Sequence, residues 1–209
     1  MKPMKHDKNG EREAESGIIY LFGTVDTERA AAICERIIQA NLEGEVPHIQ
    51  LIINSPGGEL TSGFAIIDIM EWSQIPIYTT GIGMVASMGL LIFMAGEKGR
   101  RVVTPRTSVL SHRYSWWAMG THSDLVATRK EQDLSHNRIV NHYIQHTGVK
   151  TEEELNKTLL RDVDTWLTSE EALRLGIADL IQKDRKARYP DVVTKDLART
   201  LATEKESDR

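Results

Sequence analysis

Three short runs of apolar, largely β-branched residues recur along the first eighty positions: Ile18-Ile-Tyr-Leu-Phe22, Ile49-Gln-Leu-Ile-Ile53 and Ile75-Pro-Ile-Tyr-Thr79. Each has strand length, and the second is nearly unbroken, as in strands buried on both faces of a parallel sheet. Between them the period changes to that of a helix. Asp26 is a plausible N-cap for a helix through about Gln39, with Ala30, Ile33, Ile37 and Ile38 as its apolar stripe and Cys34 packed beside it. A second helical pattern runs from about Leu60 to Ser73, burying Phe64, Ile67 and Met70 with Ile66 and Ile69 beside them. The third strand, Ile75–Thr80, leads into the small-residue turn Gly81-Ile-Gly-Met-Val-Ala-Ser-Met-Gly89 and an apolar helix, Leu90–Ala95. Strand, turn and helix repeat as βαβ units, which predicts an α/β fold with a mostly parallel sheet.

Arg100–Thr104 and Ser108–Ser111 are further short strands on either side of Pro105. The pattern changes after Thr121, which forms a capping-box signature with Asp124, and Gly148 is a natural helix stop. A helix over Ser123–His146 would be roughly 35 Å long. Its middle, Thr128-Arg-Lys-Glu-Gln-Asp133, is polar all round while both ends carry apolar residues, so it is predicted to project from the core and pack on another subunit. Thr151 with Glu154 and Thr168 with Glu171 start two shorter helices, Gly176 closes the second, and Ile177–Ile181 follows as a strand. Residues 1–16 are expected to be a polar, flexible arm, 17–182 one domain, and 183–209 a charged, loosely held tail.

Composition narrows the class. The 209 residues fit a single domain, and 40% hydrophobic with 27% charged content is ordinary for a globular protein. A net charge of −4 gives no basic footprint for nucleic acid, and no apolar run reaches membrane-spanning length. Cys34 is the sole cysteine, which excludes an internal disulfide and suits the reducing cytoplasm. No cysteine–histidine spacing suggests a metal site, and no cofactor motif is present.

Candidate chemistry centres on Ser87. A serine among small residues, between a strand and a helix, is where hydrolytic α/β folds place a nucleophile, although a packed serine at a helix start fits the same stretch. Its hydroxyl needs a base, and seven histidines compete. His6 lies in the arm, His48 precedes a strand, and His122, His136, His142 and His146 lie on or beside the long helix. His112 ends the short strand Ser108-Val-Leu-Ser-His112, at the kind of strand end where α/β sites collect. For the orienting acid, Asp162 and Asp164 both precede Trp166, and spacing does not separate them. Gly57-Gly58 directly follows a buried strand and permits close backbone approach, and Met88 offers a second N–H for an oxyanion.

Asn54-Ser-Pro-Gly-Gly58, Ala86-Ser-Met-Gly89, the His112 strand end, His146-Thr-Gly148 and Asp164…Leu167-Thr-Ser-Glu-Glu-Ala172…Gly176-Ile-Ala-Asp179, in that order, resemble the ClpP serine peptidase family. The resemblance covers about Ile18 to Ile181. It implies a crotonase-like spiral of βαβ units with a protruding handle helix at about 121–148. It implies Ser87 as nucleophile, His112 as general base, Asp164 as orienting acid, and the Gly58 and Met88 N–H groups as oxyanion hole. It further implies a homo-oligomer of two stacked heptameric rings, fed unfolded protein or peptide substrate by an AAA+ unfoldase.

Departures from the family pattern are equally visible. Where relatives carry Gln-Pro and a glycine-bearing stretch after the base, this chain has Arg113, Tyr114, Ser115, Trp116 and Trp117. Val163 stands where relatives often have an arginine serving ring-to-ring charge pairing, and the amino-terminal arm is poor in the apolar residues that line their entrance pore. Two other functions fit the same frame: a non-catalytic ring subunit, and a crotonase-type acyl-CoA enzyme. The Ser-His-Asp set has no natural role in the latter.

Overall fold

The computed structural model describes residues 17–115 and 118–182, so the arm, the tail and Trp116-Trp117 fall outside the described residues. The apolar runs pair as parallel strands: β1 (Ile18–Phe22) with β2 (Ile49–Ser55), and β2 with β3 (Ile77–Ala86). Ile49, Leu51 and Ile53 of β2 are completely buried, as expected of a central strand covered on both faces. The outer strand β1 alternates instead, with Ile19 and Leu21 buried and Tyr20 and Phe22 exposed.

Helix α1 (Thr27–Glu43) starts where the sequence predicts, with the Asp26 carboxylate accepting from Arg29 N–H at 2.8 Å. It runs a turn beyond Gln39, because the left-handed stop is Gly44, whose N–H reaches Ala40 O at 2.9 Å. Helix α2 (Leu60–Trp72) buries Gly63, Ile66, Ile67 and Met70, with Phe64 and Ile69 partly covered.

The largest difference from expectation is in β3. The predicted turn from Gly81 is strand: β3 continues through Gly81 and Gly83 to Ala86. Its first half pairs with β4 (Arg101–Val103) and its second with β5 (Ser108–Ser111), both parallel. The register against β2 shifts between Ile53 and Ser55. There Gly83 adopts φ 62°, and the Asn54 side-chain oxygen accepts from Met84 N–H at 3.1 Å. The glycine serves a bulge that prolongs the strand rather than a turn that ends it. Helix α3 (Met88–Met94) then follows with every residue buried.

Helix α4 (His122–His146) carries the predicted Thr121–Asp124 capping box. None of its residues before Ser135 is buried, while Ser135, Ile139, Val140, His142 and Tyr143 are. Its amino-terminal half is largely exposed, Leu125 and Val126 included. Helix α5 (Glu152–Thr158) is capped by the Thr151 side chain. A strand that the pattern did not predict, β6 (Thr165–Leu167), pairs antiparallel with β5. Helix α6 (Ser169–Arg174) has the complete Thr168–Glu171 box. Only Leu180–Ile181 of the expected last strand pairs, as β7 on β4. Ile177 and Ala178 are buried as a turn, their N–H groups donating to Ala172 O. The sheet order is β1-β2-β3-β4-β7, with β5 and β6 branching from the far half of β3.

One charged pair is built into this core. The Arg101 side chain is 0% exposed. Its Nε and one terminal nitrogen grip the Asp179 carboxylate at 2.8 and 2.6 Å, and it also donates to the His146 and Gly176 carbonyls. Burial alone would raise the Asp179 pKa, but the Arg101 hydrogen bonds and charge, with Gly99 N–H, outweigh it and bring it to about 2. Its stabilising effect is full above the ordinary carboxylate pKa and is lost as pH falls toward about 2. Asp179→Ala would strand a buried guanidinium and is expected to cost about 3–5 kcal/mol of stability in thermal or denaturant unfolding. A loss within experimental error of zero would show that water reaches Arg101.

Candidate active site

Ser87 stands between β3 and α3 with φ 54° and ψ −123°, and it is the one non-glycine residue with positive φ among the described residues. Such a conformation costs on the order of 1–3 kcal/mol and persists only where surroundings enforce it. The enforcement is visible. Ser87 N–H donates to Leu110 O on β5 at 3.0 Å, and Ser87 O accepts from Leu90 and Leu91 N–H at 2.9 and 3.2 Å. The wholly buried α3 anchors the turn from below, and Ser87 itself is half-buried.

Gly57 presses against this turn. A Cβ there would lie 2.6 Å from Ser87 Cβ and 2.9 Å from both Ala86 O and Met88 N, and Gly57 has φ 94°. Neighbouring Gly58 forms a bridge with Val25, and a Cβ on it would meet Val25 O at 2.1 Å. Val25 N–H takes Gly57 O and Glu59 N–H takes Val25 O, while no described backbone oxygen accepts from Gly58 N–H. Met88 is the first residue of α3 and has no intrahelical acceptor. The Met88 N–H follows Ser87 directly, and Gly58 N–H, one residue beyond the Gly57 contact, is left without a described backbone acceptor. Met88's side chain packs on Gly63 of α2, which leaves its backbone for the turn.

Strand register brings the other candidates to the same end of the sheet. Ala86 pairs with Leu110 and Ser111 pairs with Thr165. Ser87 directly follows β3, His112 directly follows β5, and Asp164 directly precedes β6. Asp162 lies two residues further out, 87% exposed, and pairs with Arg113 at 2.6 Å. No hydrogen bond joins the Ser87, His112 and Asp164 side chains among the described residues. His112 is half-buried and Asp164 exposed.

The other described histidines are occupied elsewhere. His48 stacks on Tyr78 at 4.5 Å, His136 bonds Glu152 at 3.1 Å, and His142 and His146 are packed together against α3. His122 is exposed at the start of α4. His6 lies outside the described residues.

The sequence reading did not single out what fixes the strand beneath His112. Ser111 Oγ donates to Leu159 O at 2.8 Å and accepts from Tyr143 OH at 2.8 Å, tying β5 to α4 and to the end of α5. Burial raises the Tyr143 pKa to about 12, so it stays a neutral donor. Neither residue type nor spacing marks such a pair; it exists only once α4 has docked. Just beyond His112 lies a cavity of about 380 Å³ lined by Arg113, Tyr114, His136, Ile139, Asn156 and Leu160. Arg113 is held there by Asp162 and by donation to Leu160 O at 2.8 Å.

Among the described residues no three His, Cys, Asp or Glu side chains cluster as metal ligands, and no helix is long and apolar enough to cross a membrane. A mostly parallel sheet with a strained serine turn at its edge is the frame of one known class of hydrolase, and the family model of Clp protease matches residues 4–185. The chain belongs to the Clp protease family, whose members are protein-degrading hydrolases. It is 35% identical over 162 residues, 78% of this chain and 79% of the relative, to the ATP-dependent Clp protease proteolytic subunit 2 of Corynebacterium glutamicum.

The contact between Gly57 and Ser87 generates a direct prediction. Gly57→Ala should leave the chain folded by circular dichroism yet lower peptide hydrolysis by at least about 100-fold, by displacing Ser87 and the Met88 amide. Retained hydrolysis would show that the turn tolerates movement.

Proposed function

We propose that this chain is a self-compartmentalising serine endopeptidase that hydrolyses peptide bonds of unfolded proteins or peptides through Ser87, His112 and Asp164. The observation that supports this reading is the register of β3, β5 and β6, in which Ala86 pairs with Leu110 and Ser111 with Thr165, next in the chain to Ser87, His112 and Asp164. Ser87 Oγ attacks the peptide carbonyl carbon while His112 takes its proton. The oxyanion forms against the Gly58 and Met88 N–H groups. His112 then returns the proton to the leaving amine, and water releases the acyl chain by the same route. Asp164 holds the imidazole and stabilises its charged form. No metal or organic cofactor enters this sequence of steps.

The absence of a hydrogen bond among the three side chains favours a second reading, a non-catalytic subunit that tunes a mixed peptidase assembly. Catalytic hydrogen bonds commonly tighten only when substrate is bound, so the geometry does not exclude catalysis. In the endopeptidase reading, the cavity beyond His112 receives a substrate side chain. The exposed half of α4 serves as the handle by which two heptameric rings stack. An AAA+ unfoldase supplies substrate, and the site of action is the cytoplasm.

Degradation of an unfolded protein such as casein, in the presence of a Clp ATPase and without it, tests the reading. Ser87→Ala and His112→Ala should each reduce hydrolysis by several orders of magnitude, since members of such a triad act as a unit. Asp164→Asn should be far more damaging than Asp162→Asn, and the reverse order would reassign the acid. Equal activity of Ser87→Ala and the parent assembly would leave the non-catalytic reading standing. Deletion of Thr128–Asp133 is expected to give single rings or smaller species by light scattering, and an unchanged mass would refute a handle role for α4.

A further inference from the structure

Chemistry that the peptidase reading does not use lies where α4 meets α3. His142 and His146 are one turn apart on the docked end of α4, with ring centroids 4.3 Å apart. His142 is buried and its Nε2 lies 2.8 Å from Leu91 O; since a carbonyl only accepts, Nε2 carries the proton. His146 lies by the Met94 backbone, and its Nε2 is buried without any hydrogen-bond partner. Leu91 and Met94 belong to α3, the helix whose first turn is fixed by Ser87 O. His142 thus ties the docked end of α4 to the helix beneath the serine turn, and His146 packs on it at the same seam.

The charged surroundings of this pair are one-sided. Arg101 of β4, wholly buried, donates to His146 O at 2.6 Å. Lys98, on the connection from α3 to β4, is the second cation near His146. The carboxylate at hand, Asp179, is already gripped by Arg101 at 2.6 Å and approached by Lys98 at 3.5 Å. The α3 residues facing the pair are apolar, and Tyr143 between the histidines points to Ser111 instead. An added proton on His146 would meet Arg101 and Lys98, and one on His142 would meet Arg101 and the other imidazole, with the nearby acid already committed.

We propose that His142 and His146 form an acid-sensitive latch that holds α4 against α3 only while both rings are neutral, and that protonation releases the projecting helix and loosens the Ser87 turn. Burial, then the charges of His146 and Arg101, lower the His142 pKa to about 4 against the opposing Leu91 carbonyl. Burial, Arg101 and Lys98 lower that of His146. The folded state therefore binds fewer protons than the unfolded chain. The latch is at full strength above the ordinary histidine pKa of 6.5 and is lost as pH falls toward about 4. This inference rests on packing and does not require the catalytic assignment.

The test is hydrogen–deuterium exchange by mass spectrometry on the full assembled chain between about pH 8 and pH 4, following both backbone amides and histidine C2 protons. C2 exchange should show His142 half-protonated well below the ordinary histidine pKa. Backbone protection over residues 88–95 and 139–147 should fall together by about tenfold or more in that window, while β1 and β2 stay protected. His142→Gln keeps a side-chain N–H for Leu91 O but does not titrate, so it should retain protection to lower pH. A His142 that titrates like a free imidazole overturns the proposal. So does protonation without loss of protection, or a loss that is uniform over the chain. If His142→Gln fails to fold, the wild-type C2 and backbone curves decide alone. Peptide hydrolysis at neutral pH is a separate measurement, whose failure would affect only the peptidase reading.

Discussion

Ser87 occupies a backbone conformation that a residue with a side chain disfavours, and much of the surrounding packing enforces it. Behind it the whole of α3 is sunk in the core. On one flank β5 takes its N–H through Leu110, and on another Gly57 approaches closer than any side chain would permit. Strand β3 can reach this point only because Gly83 and Asn54 build a bulge that keeps it in the sheet for its last residues.

That single constraint propagates. With Ala86 fixed against Leu110, β5 is set in register, and β6 on β5 sets the start of the last third of the domain. The end of β5 is pinned by Ser111 to Tyr143 and Leu159, so the docking of α4 and the position of His112 depend on each other. The same end of α4 is held from the other side by Arg101, His142 and His146. Helix α4 is thus anchored over its carboxy-terminal third by buried polar contacts and is largely exposed over its amino-terminal half. A long helix with such a division of burial is suited to meeting another subunit.

Much of this could be read from the chain. Apolar runs with β-branched residues gave β1 and β2, and side-chain caps at Asp26, Thr121, Thr151 and Thr168 gave helix starts, because both signals are local. The end of β3 was misjudged because glycine ends strands and bulges alike, and only its neighbours decide which. Strand β6 escaped notice because three residues carry no period. Among site residues, Ser87 and Gly57-Gly58 announce themselves by small-residue turns after strands. Asp164 could not be told from Asp162 by spacing; the family resemblance favoured it, and it immediately precedes Thr165, which pairs with Ser111. The buried pairs Ser111–Tyr143 and Arg101–Asp179 join distant segments, and no local pattern marks them.

The central claim is that Ser87 is the nucleophile of a working peptidase. Its most direct test is treatment of the assembled protein with a serine-reactive fluorophosphonate, followed by peptide mapping to locate the adduct. The account predicts one adduct, on Ser87, that requires His112 and disappears on denaturation before labelling. An adduct on another serine, or none on a confirmed intact assembly, would contradict it.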